Sequence, residues 1–290
     1  MLNFLGILFD GLAYGTLLFL ISAGLSVTMG FMGFINLTHG AFAMAGGYAT
    51  VVLMNSAGWP FLATLPVAFG VVAAGSLLLE CTVYRRLYRA QPLEQVLLTV
   101  GLTFMAVAGA TYIWGPLQQP LRLPEQLAGQ VQFLGLALSR YRLFLMGVGI
   151  VITLVLLFGL ERTRFGAKVR AAVDNQHMAA GIGIHVGRVF QITFAVGSGL
   201  AGLGGALGIE VLGLDPAFPI KYLVYFLLVV AVGGPGSILG ALTASLLLGV
   251  ADVLGKYYVP EMGVFVIYAV MIALLLSLPD GLRGWKIRRS

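Results

Sequence analysis

Long runs of apolar residues, separated by short polar stretches, extend along almost the whole chain. A helix that spans a membrane needs about 20 predominantly apolar residues. The pattern predicts an all-α polytopic integral membrane protein, with residues 1–290 forming one transmembrane domain of about eight to nine spanning helices. The candidate spans are residues 3–31, 41–55, 61–84, 94–115, 142–161, 189–212, 220–233, 237–251 and 262–278.

Three of these runs, residues 41–55, 220–233 and 237–251, are short for a membrane span. Short apolar segments interrupted by glycine are typical of the discontinuous helices of transporters. Ordinary helices whose ends lie a few residues further out would produce the same pattern. We therefore expect some helices to be short or broken, and both explanations stay open.

The composition excludes the common soluble classes. Hydrophobic residues make up 59% of the 290 residues and charged residues 10%, whereas about 25% of residues are charged in soluble domains. The mean hydropathy is +0.98. Because a soluble protein of this size cannot bury so much apolar surface, a soluble enzyme, a nucleic-acid-binding module and a disordered chain are all excluded. The expected partner of this surface is the lipid bilayer.

Basic residues are concentrated in three polar stretches, although the chain carries only 17 Lys and Arg residues against 11 Asp and Glu residues. Short loops rich in Lys and Arg stay on the cytoplasmic side of a membrane. We therefore predict a cytoplasmic loop at residues 163–188, a basic cytoplasmic tail at 281–290 and an extracytoplasmic loop at 116–141. Nine crossings would place the N-terminus outside and the C-terminus in the cytoplasm. The three basic clusters are Arg85, Arg86 and Arg89; Arg162, Arg164, Lys168, Arg170 and Arg188; and Arg283, Lys286, Arg288 and Arg289.

Few side chains could carry covalent chemistry. The sequence has no Walker A motif, its three histidines are far apart and Cys81 is its only cysteine. We therefore predict no catalytic residue, no metal site and no cofactor. Glu80, Glu210 and Asp252 are expected near span boundaries that water reaches, with Asp10 as the exception. An ion-carrying role for these acids is the less favoured interpretation.

The first polar motif interrupts the apolar pattern at Asn36, Thr38, His39 and Gly40. Asn36 and Thr38 are suited to cap the helix that follows. Small residues in that helix would let another helix approach closely. One interpretation is a broken helix that lines a substrate path, because polar groups at membrane depth must face protein or water. The other is a polar turn at the cytoplasmic interface.

The second motif contains Gly233, Gly234, Pro235 and Gly236, which must end a helix, and Ser237, which can cap the next one. The following helix carries Gly240, Ala244 and Leu248 on one face, an arrangement that favours close packing. The plan resembles that of residues 36–55, which suggests two internal repeats. A tight cytoplasmic turn between ordinary helices is the alternative.

The third motif lies in the cytoplasmic loop at residues 171–184. We predict a helix around residues 167–182, with Gly181 and Gly183 as stop signals. A short helix among basic residues could lie on the membrane surface or dock a soluble partner. Its apolar residues form no clean stripe, so the sequence pattern leaves the two roles equal.

Taken together, the three motifs resemble those of bacterial ABC permeases for branched-chain amino acids. The resemblance covers nearly the whole chain, and the motifs match in order and spacing. In two places this chain departs from the commoner pattern: Thr38 precedes His39, and Ala41 follows His-Gly where an acid is frequent. The matching stretches are Ile35-Asn36-Leu37-Thr38-His39-Gly40, Arg162-Thr163-Arg164-Phe165-Gly166 with the glycines and alanines up to Ile184, and Gly233-Gly234-Pro235-Gly236-Ser237-Ile238-Leu239-Gly240.

The resemblance implies a permease subunit of the bacterial inner membrane that performs no covalent chemistry. It would pair with a second related permease, two cytoplasmic ATPases and a periplasmic solute-binding protein. Leucine, isoleucine or valine is the expected substrate; urea, short amides, and a stand-alone secondary transporter or channel are alternatives. The implied translocation-path residues are Asn36, Thr38, His39, Gly40, Gly233, Gly234, Gly236 and Ser237. The implied ATPase-coupling residues are Arg170, Ala172, Asp174, Ala179, Ala180, Gly181 and Gly183, on a helix near residues 172–182.

Overall fold

A computed structural model describes residues 2–33, 36–87, 90–121, 123–133, 135–277 and 281–282. Of the predicted basic tail, only residues 281–282 fall within this part of the chain. The α-helices are α1 (Leu2–Met32), α2 (His39–Ala57), α3 (Phe61–Leu79), α4 (Arg85–Leu87), α5 (Pro92–Trp114), α6 (Arg140–Glu161), α7 (Arg164–Asp174), α8 (Gln176–Gly181), α9 (Val186–Leu212), α10 (Phe218–Gly233), α11 (Ile238–Tyr258) and α12 (Gly263–Ser277).

Each of the nine predicted apolar runs is helical, which confirms the all-α polytopic membrane fold. Within the described residues, six helices are long and apolar enough to cross a membrane, and two shorter apolar helices cover Phe218–Gly233 and Phe265–Ser277. Helix α2 accounts for the ninth run. A π-helix, Glu80–Tyr84, links α3 to α4.

One of the three short runs is in fact a full-length span. Helix α11 continues to Tyr258 and has 21 residues, so the predicted end near residue 251 is wrong. The polar residues Asp252 and Lys256 interrupt the apolar pattern of the sequence. They form an ion pair one helical turn apart, which lets the helix continue through them. Helix α10, with 16 residues, remains short.

Helices α1 and α9 run antiparallel through the centre of the bundle. They approach so closely that a Cβ atom on Gly24 would overlap the carbonyl of Gly197, and one on Gly204 would lie 2.7 Å from the side chain of Ile21. Such contacts require glycine, because a larger side chain would overlap the neighbouring helix. Close van der Waals packing of this kind is a main source of helix association in lipid. Helix α1 also packs on α11, and α9 also packs on α2 and α3.

The predicted extracytoplasmic loop contains a small β-hairpin. Strands β1 (Gln130–Phe133) and β2 (Leu136–Ser139) pair antiparallel, with Gln130 opposite Ser139. The hairpin leads directly into α6. It is an addition to the predicted helical architecture and lies outside the apolar spans.

The loop at residues 163–188 forms two helices rather than the one predicted around 167–182. Asn175 has an extended backbone (φ −152°, ψ 105°), and its side chain accepts a hydrogen bond from the Met178 N–H at 2.9 Å. An Asn side chain competes with helical hydrogen bonds in this way, so it ends α7 and starts α8. The predicted stop holds: α8 ends at Gly181, and Gly183 has φ +86°.

The acids in the spans are placed differently from the expectation. Glu80 and Asp252 are each only 1% exposed, so the prediction that water reaches them is wrong. Asp10, the expected exception, is partly exposed and pairs with Arg142. Glu210 is exposed, as predicted. The difference arises because Asp252 lies inside α11 and Glu80 begins the π-helix, where both are packed by neighbouring helices.

Candidate functional site

The first polar motif forms a break in the membrane helices that is enclosed by protein. Helix α1 ends before Gly33, whose φ is +62°, and α2 begins at His39. Asn36, Thr38, His39 and Gly40 are all buried. The break therefore needs internal hydrogen-bond partners, because an unsatisfied polar group inside a bilayer is costly.

Neighbouring helices supply these partners. The side-chain Oδ1 atom of Asn36 accepts hydrogen bonds from the Thr38 N–H at 3.1 Å and from the Tyr84 hydroxyl at 3.5 Å. The Thr38 hydroxyl donates to the Thr99 carbonyl of α5 at 3.0 Å. The expectation that Thr38 caps α2 is wrong, since its side chain makes no capping hydrogen bond. The tertiary contact with α5 takes its place.

His39 lies deep inside the helical bundle. Its Nε2 atom lies 2.8 Å from the carbonyl oxygen of Ile21, and because a carbonyl only accepts, Nε2 is the donor of this hydrogen bond. Ile21 precedes the end of α1 by three helical turns, or about 16 Å at 1.5 Å per residue. The geometry thus favours a broken helix over a turn at the membrane interface.

The second motif lies against the last turns of α1. Gly234 and Gly236 have φ values of +83° and +77°, and the Gly236 N–H donates to the Ser26 carbonyl at 2.9 Å. The Ser237 hydroxyl accepts from the Gly240 N–H at 3.0 Å, so the predicted cap of α11 is confirmed. The face with Gly240, Ala244 and Leu248 is buried, as the pattern predicted. Gly233 packs against that face at Ala241.

A further break between α9 and α10 was not singled out in the sequence. Gly213 has φ +74°, and the Asp215 carboxylate accepts from the Ala217 N–H at 2.8 Å. The first turn of α10 then lies against α2: a Cβ atom on Gly40 would lie 2.9 Å from Pro219 Cα. The Asp-Pro dipeptide at Asp215 is a turn signal that could have revealed this break.

An apolar groove runs along α2 beyond the first break. It has a volume of about 580 Å³ and lies between α3 and α5, and Tyr48 and Trp114 contribute to its lining. The two rings stack at 4.3 Å between centroids. Three small residues at a spacing of one helical turn on α2 contribute to the lining: Ala41, Ala45 and Ala49.

The predicted coupling residues form a small helical platform. Ala172 and Ala179 are buried, and the Arg170 guanidinium donates to the Leu160 carbonyl at the end of α6. These three residues hold α7 and α8 on the bundle. The remaining predicted residues are exposed: Asp174, Ala180, Gly181 and Gly183. The same surface exposes three apolar side chains, which are Val173, Met178 and Ile182.

Interrupted helices enclosed in a polytopic bundle are typical of the class of membrane transport proteins. The family model described as "Branched-chain amino acid transport system / permease component" matches residues 7–275. The chain belongs to this family.

Its relatives are similar over almost their full length. The chain is 26% identical to the high-affinity branched-chain amino acid transport system permease protein LivH of Escherichia coli K12, over 98% of this chain and 96% of LivH. It is 25% identical to the permease protein BraD of Pseudomonas aeruginosa, over 97% and 96% of the two chains. It is 28% identical to a probable branched-chain amino acid permease of Methanocaldococcus jannaschii, over 97% and 93%. No solved structure matches this chain.

Proposed function

We propose that this permease imports a branched-chain amino acid as one subunit of an ATP-driven importer. The observation that carries the proposal is the buried break at residues 36–40, in a chain matched by the family model over residues 7–275. The importer contains a second related permease, two cytoplasmic ATPases and a periplasmic solute-binding protein. ATP binding brings the ATPases together and changes the side of the membrane to which the substrate cavity opens.

The substrate path follows the face of α2 that begins at His39 and Gly40. The apolar groove of about 580 Å³ continues along the same helix, and its mainly apolar lining suits an aliphatic side chain. The second permease closes the open side of this groove. The turn at Gly233, Gly234, Gly236 and Ser237 stabilises the path indirectly. It fixes the last turns of α1, because the Gly236 N–H donates to the Ser26 carbonyl.

The exposed surface of α7 and α8 docks an ATPase. Met178 and Ile182 are 72% and 77% exposed, in a loop of a chain that belongs to a transport-system permease family. Docking of a soluble partner would bury these apolar side chains. The basic loops then lie in the cytoplasm, with the N-terminus outside and the C-terminus inside.

The test is uptake of radiolabelled leucine into proteoliposomes that contain the importer, co-expressed from the neighbouring genes. Leucine uptake that requires both ATP and the binding protein is the expected result. Urea uptake with the same requirements would keep the importer and overturn the amino-acid substrate. Transport by this chain alone, without ATP, would overturn the importer itself.

A further inference from the structure

The break between α9 and α10 repeats the geometry of the break between α1 and α2. Each leading helix ends at a glycine with positive φ, Gly33 at +62° and Gly213 at +74°. Each glycine N–H donates to the carbonyl four residues earlier, that of Met29 at 3.1 Å and that of Ile209 at 3.0 Å. The two helices therefore end in the same way, although they belong to different parts of the chain.

The residues that start the next helix also correspond. Asn36 accepts a side-chain hydrogen bond from the N–H two residues later, that of Thr38, and Asp215 does the same for Ala217. Thr38 and Ala217 have nearly equal dihedral angles, φ −68° and ψ −6° against φ −80° and ψ −4°. Residues 36–40 thus align with residues 215–219, which pairs Gly40 with Pro219.

The surrounding helices extend this correspondence to the two halves of the bundle. Helices α1 and α9 run antiparallel, α1 packs on α10 and α11, and α9 packs on α2 and α3. Exchanging α1, α2 and α3 for α9, α10 and α11 leaves these neighbours unchanged. The two halves therefore form an inverted repeat of the kind found in transporters. The repeat pairs the first break with residues 213–217, not with residues 233–237.

The paired residues Gly40 and Pro219 touch each other, which places them on the axis of the repeat. A Cβ atom on Gly40 would lie 2.9 Å from Pro219 Cα and 3.0 Å from its carbonyl oxygen. The starts of α2 and α10 are thus in direct backbone contact. A change in the orientation of one first turn must be transmitted to the other, because neither side has room to yield.

We propose that Asp215 is a positioning residue for transport, which holds the first turn of α10 against Gly40 as Asn36 holds the first turn of α2. Its Oδ1 atom accepts from Ala217 N–H, while its Oδ2 atom pairs with Lys221. The positioning role belongs to the first interaction and not to the ion pair. This inference rests on the proposed import function.

Three variants separate the two interactions of Asp215. Asp215→Asn keeps the acceptor and removes the charge, and the Asn36 turn demonstrates that an amide oxygen forms the same hydrogen bond. Asp215→Ala removes both interactions. Lys221→Met removes only the ion pair, and Lys221 is 54% exposed, so the variant disturbs little packing.

The experiment measures ATP-dependent uptake of radiolabelled leucine by the complete importer in proteoliposomes. Asp215→Ala should lower the maximal rate about tenfold with KM changed less than about twofold, since a hydrogen bond, whether its acceptor is a carboxylate or an amide, contributes up to about this factor. Asp215→Asn and Lys221→Met should stay within about twofold of the wild type. Equal loss in Asp215→Asn and Asp215→Ala, or a wild-type rate in Asp215→Ala, would overturn the proposal.

Hydrogen–deuterium exchange of the same complex provides a readout that does not depend on substrate. Exchange at residues 217–221 should be faster in Asp215→Ala than in Asp215→Asn, and equal rates would contradict the positioning role. If the wild type takes up no leucine, the proposed function fails while the exchange result still decides the role of Asp215. If Asp215→Ala does not assemble, Asp215→Ser, with a weaker acceptor, replaces it. Asp215→Ser should then show slower leucine uptake and faster exchange at residues 217–221 than Asp215→Asn. Equal values in these two variants would overturn the proposal.

Discussion

Gly40 in the first turn of α2 faces Pro219 in the first turn of α10 with no space for a side chain between them. The distance from a Cβ atom placed on Gly40 to Pro219 Cα would be 2.9 Å. Both residues follow a break in the membrane helices. The contact therefore connects the two interruptions that the fold encloses, and it makes the packing at Gly40 sensitive to a single methyl group.

We expect Gly40→Ala to destabilise the protein by about 1–3 kcal/mol, because overpacking against backbone atoms cannot be relieved by a rotamer change. Gly75→Ala is the matched control: Gly75 lies within α3, and a Cβ atom there meets nothing within 4 Å. Its substitution should leave stability unchanged or raise it slightly, since alanine favours helix. Thermal unfolding of the detergent-solubilised complexes measures both. Equal melting temperatures for the two variants would contradict the close contact.

The groove along α2 leads to a second prediction. Gly109→Leu should reduce leucine uptake at least about tenfold, because it fills a groove wall that we assign to the substrate path. Gly147→Leu is the control, since Gly147 on α6 also has open space at its Cβ position but lies outside the groove. ATP hydrolysis is measured in parallel with uptake. It shows whether a variant complex has assembled, so that a blocked groove can be distinguished from misassembly. A normal uptake rate in Gly109→Leu would remove the groove from the path.

A third prediction concerns ATPase docking. Gly181→Trp at the end of α8 should weaken association with the ATPases and uncouple ATP hydrolysis from uptake, because Gly181 is exposed on the proposed docking surface. No atom lies within 4 Å of a Cβ placed there, so the fold should tolerate the change. Co-purification of the ATPases measures docking. Gly147→Trp should leave it intact, and equal association in the two variants would exclude this surface.

A fourth prediction distinguishes structural from ion-coupling acids. Asp252 is buried and lies 2.5 Å from the ammonium group of Lys256. Lys256→Met should cost about 1–3 kcal/mol of stability, because it leaves a buried carboxylate without its partner. Asp252→Asn combined with Lys256→Met should recover much of that loss, since no unpaired charge remains.

The same double variant should retain ATP-dependent leucine uptake, which uptake assays at several external pH values would measure. Loss of uptake together with loss of its pH dependence, in a protein of normal melting temperature, would instead make Asp252 an ion-coupling group. That outcome would favour the secondary transporter over the importer.

The local hydrogen-bond rules were only partly sufficient to predict the candidate site. Ser237 caps α11 as the pattern predicts, because its acceptor and the Gly240 N–H are both local. Thr38 has the same capping potential, but its hydroxyl donates to Thr99 of another helix. Asn175 divides the predicted coupling helix in two, because its side chain competes with the helical hydrogen bonds.

The sequence by itself determined the membrane class and the nine helical runs, because apolar length is a local property of the chain. The burial of Asn36 was decided by the tertiary structure, since the sequence left an enclosed break and a turn at the interface equally open. Only the tertiary structure decided that Asp215 corresponds to Asn36 and that Gly40 meets Pro219. An Asp-Pro turn has the same local pattern at a surface and inside a bundle. Its depth depends on how α9 and α10 pack against α1 and α2, and that packing is set by contacts between residues far apart in the chain.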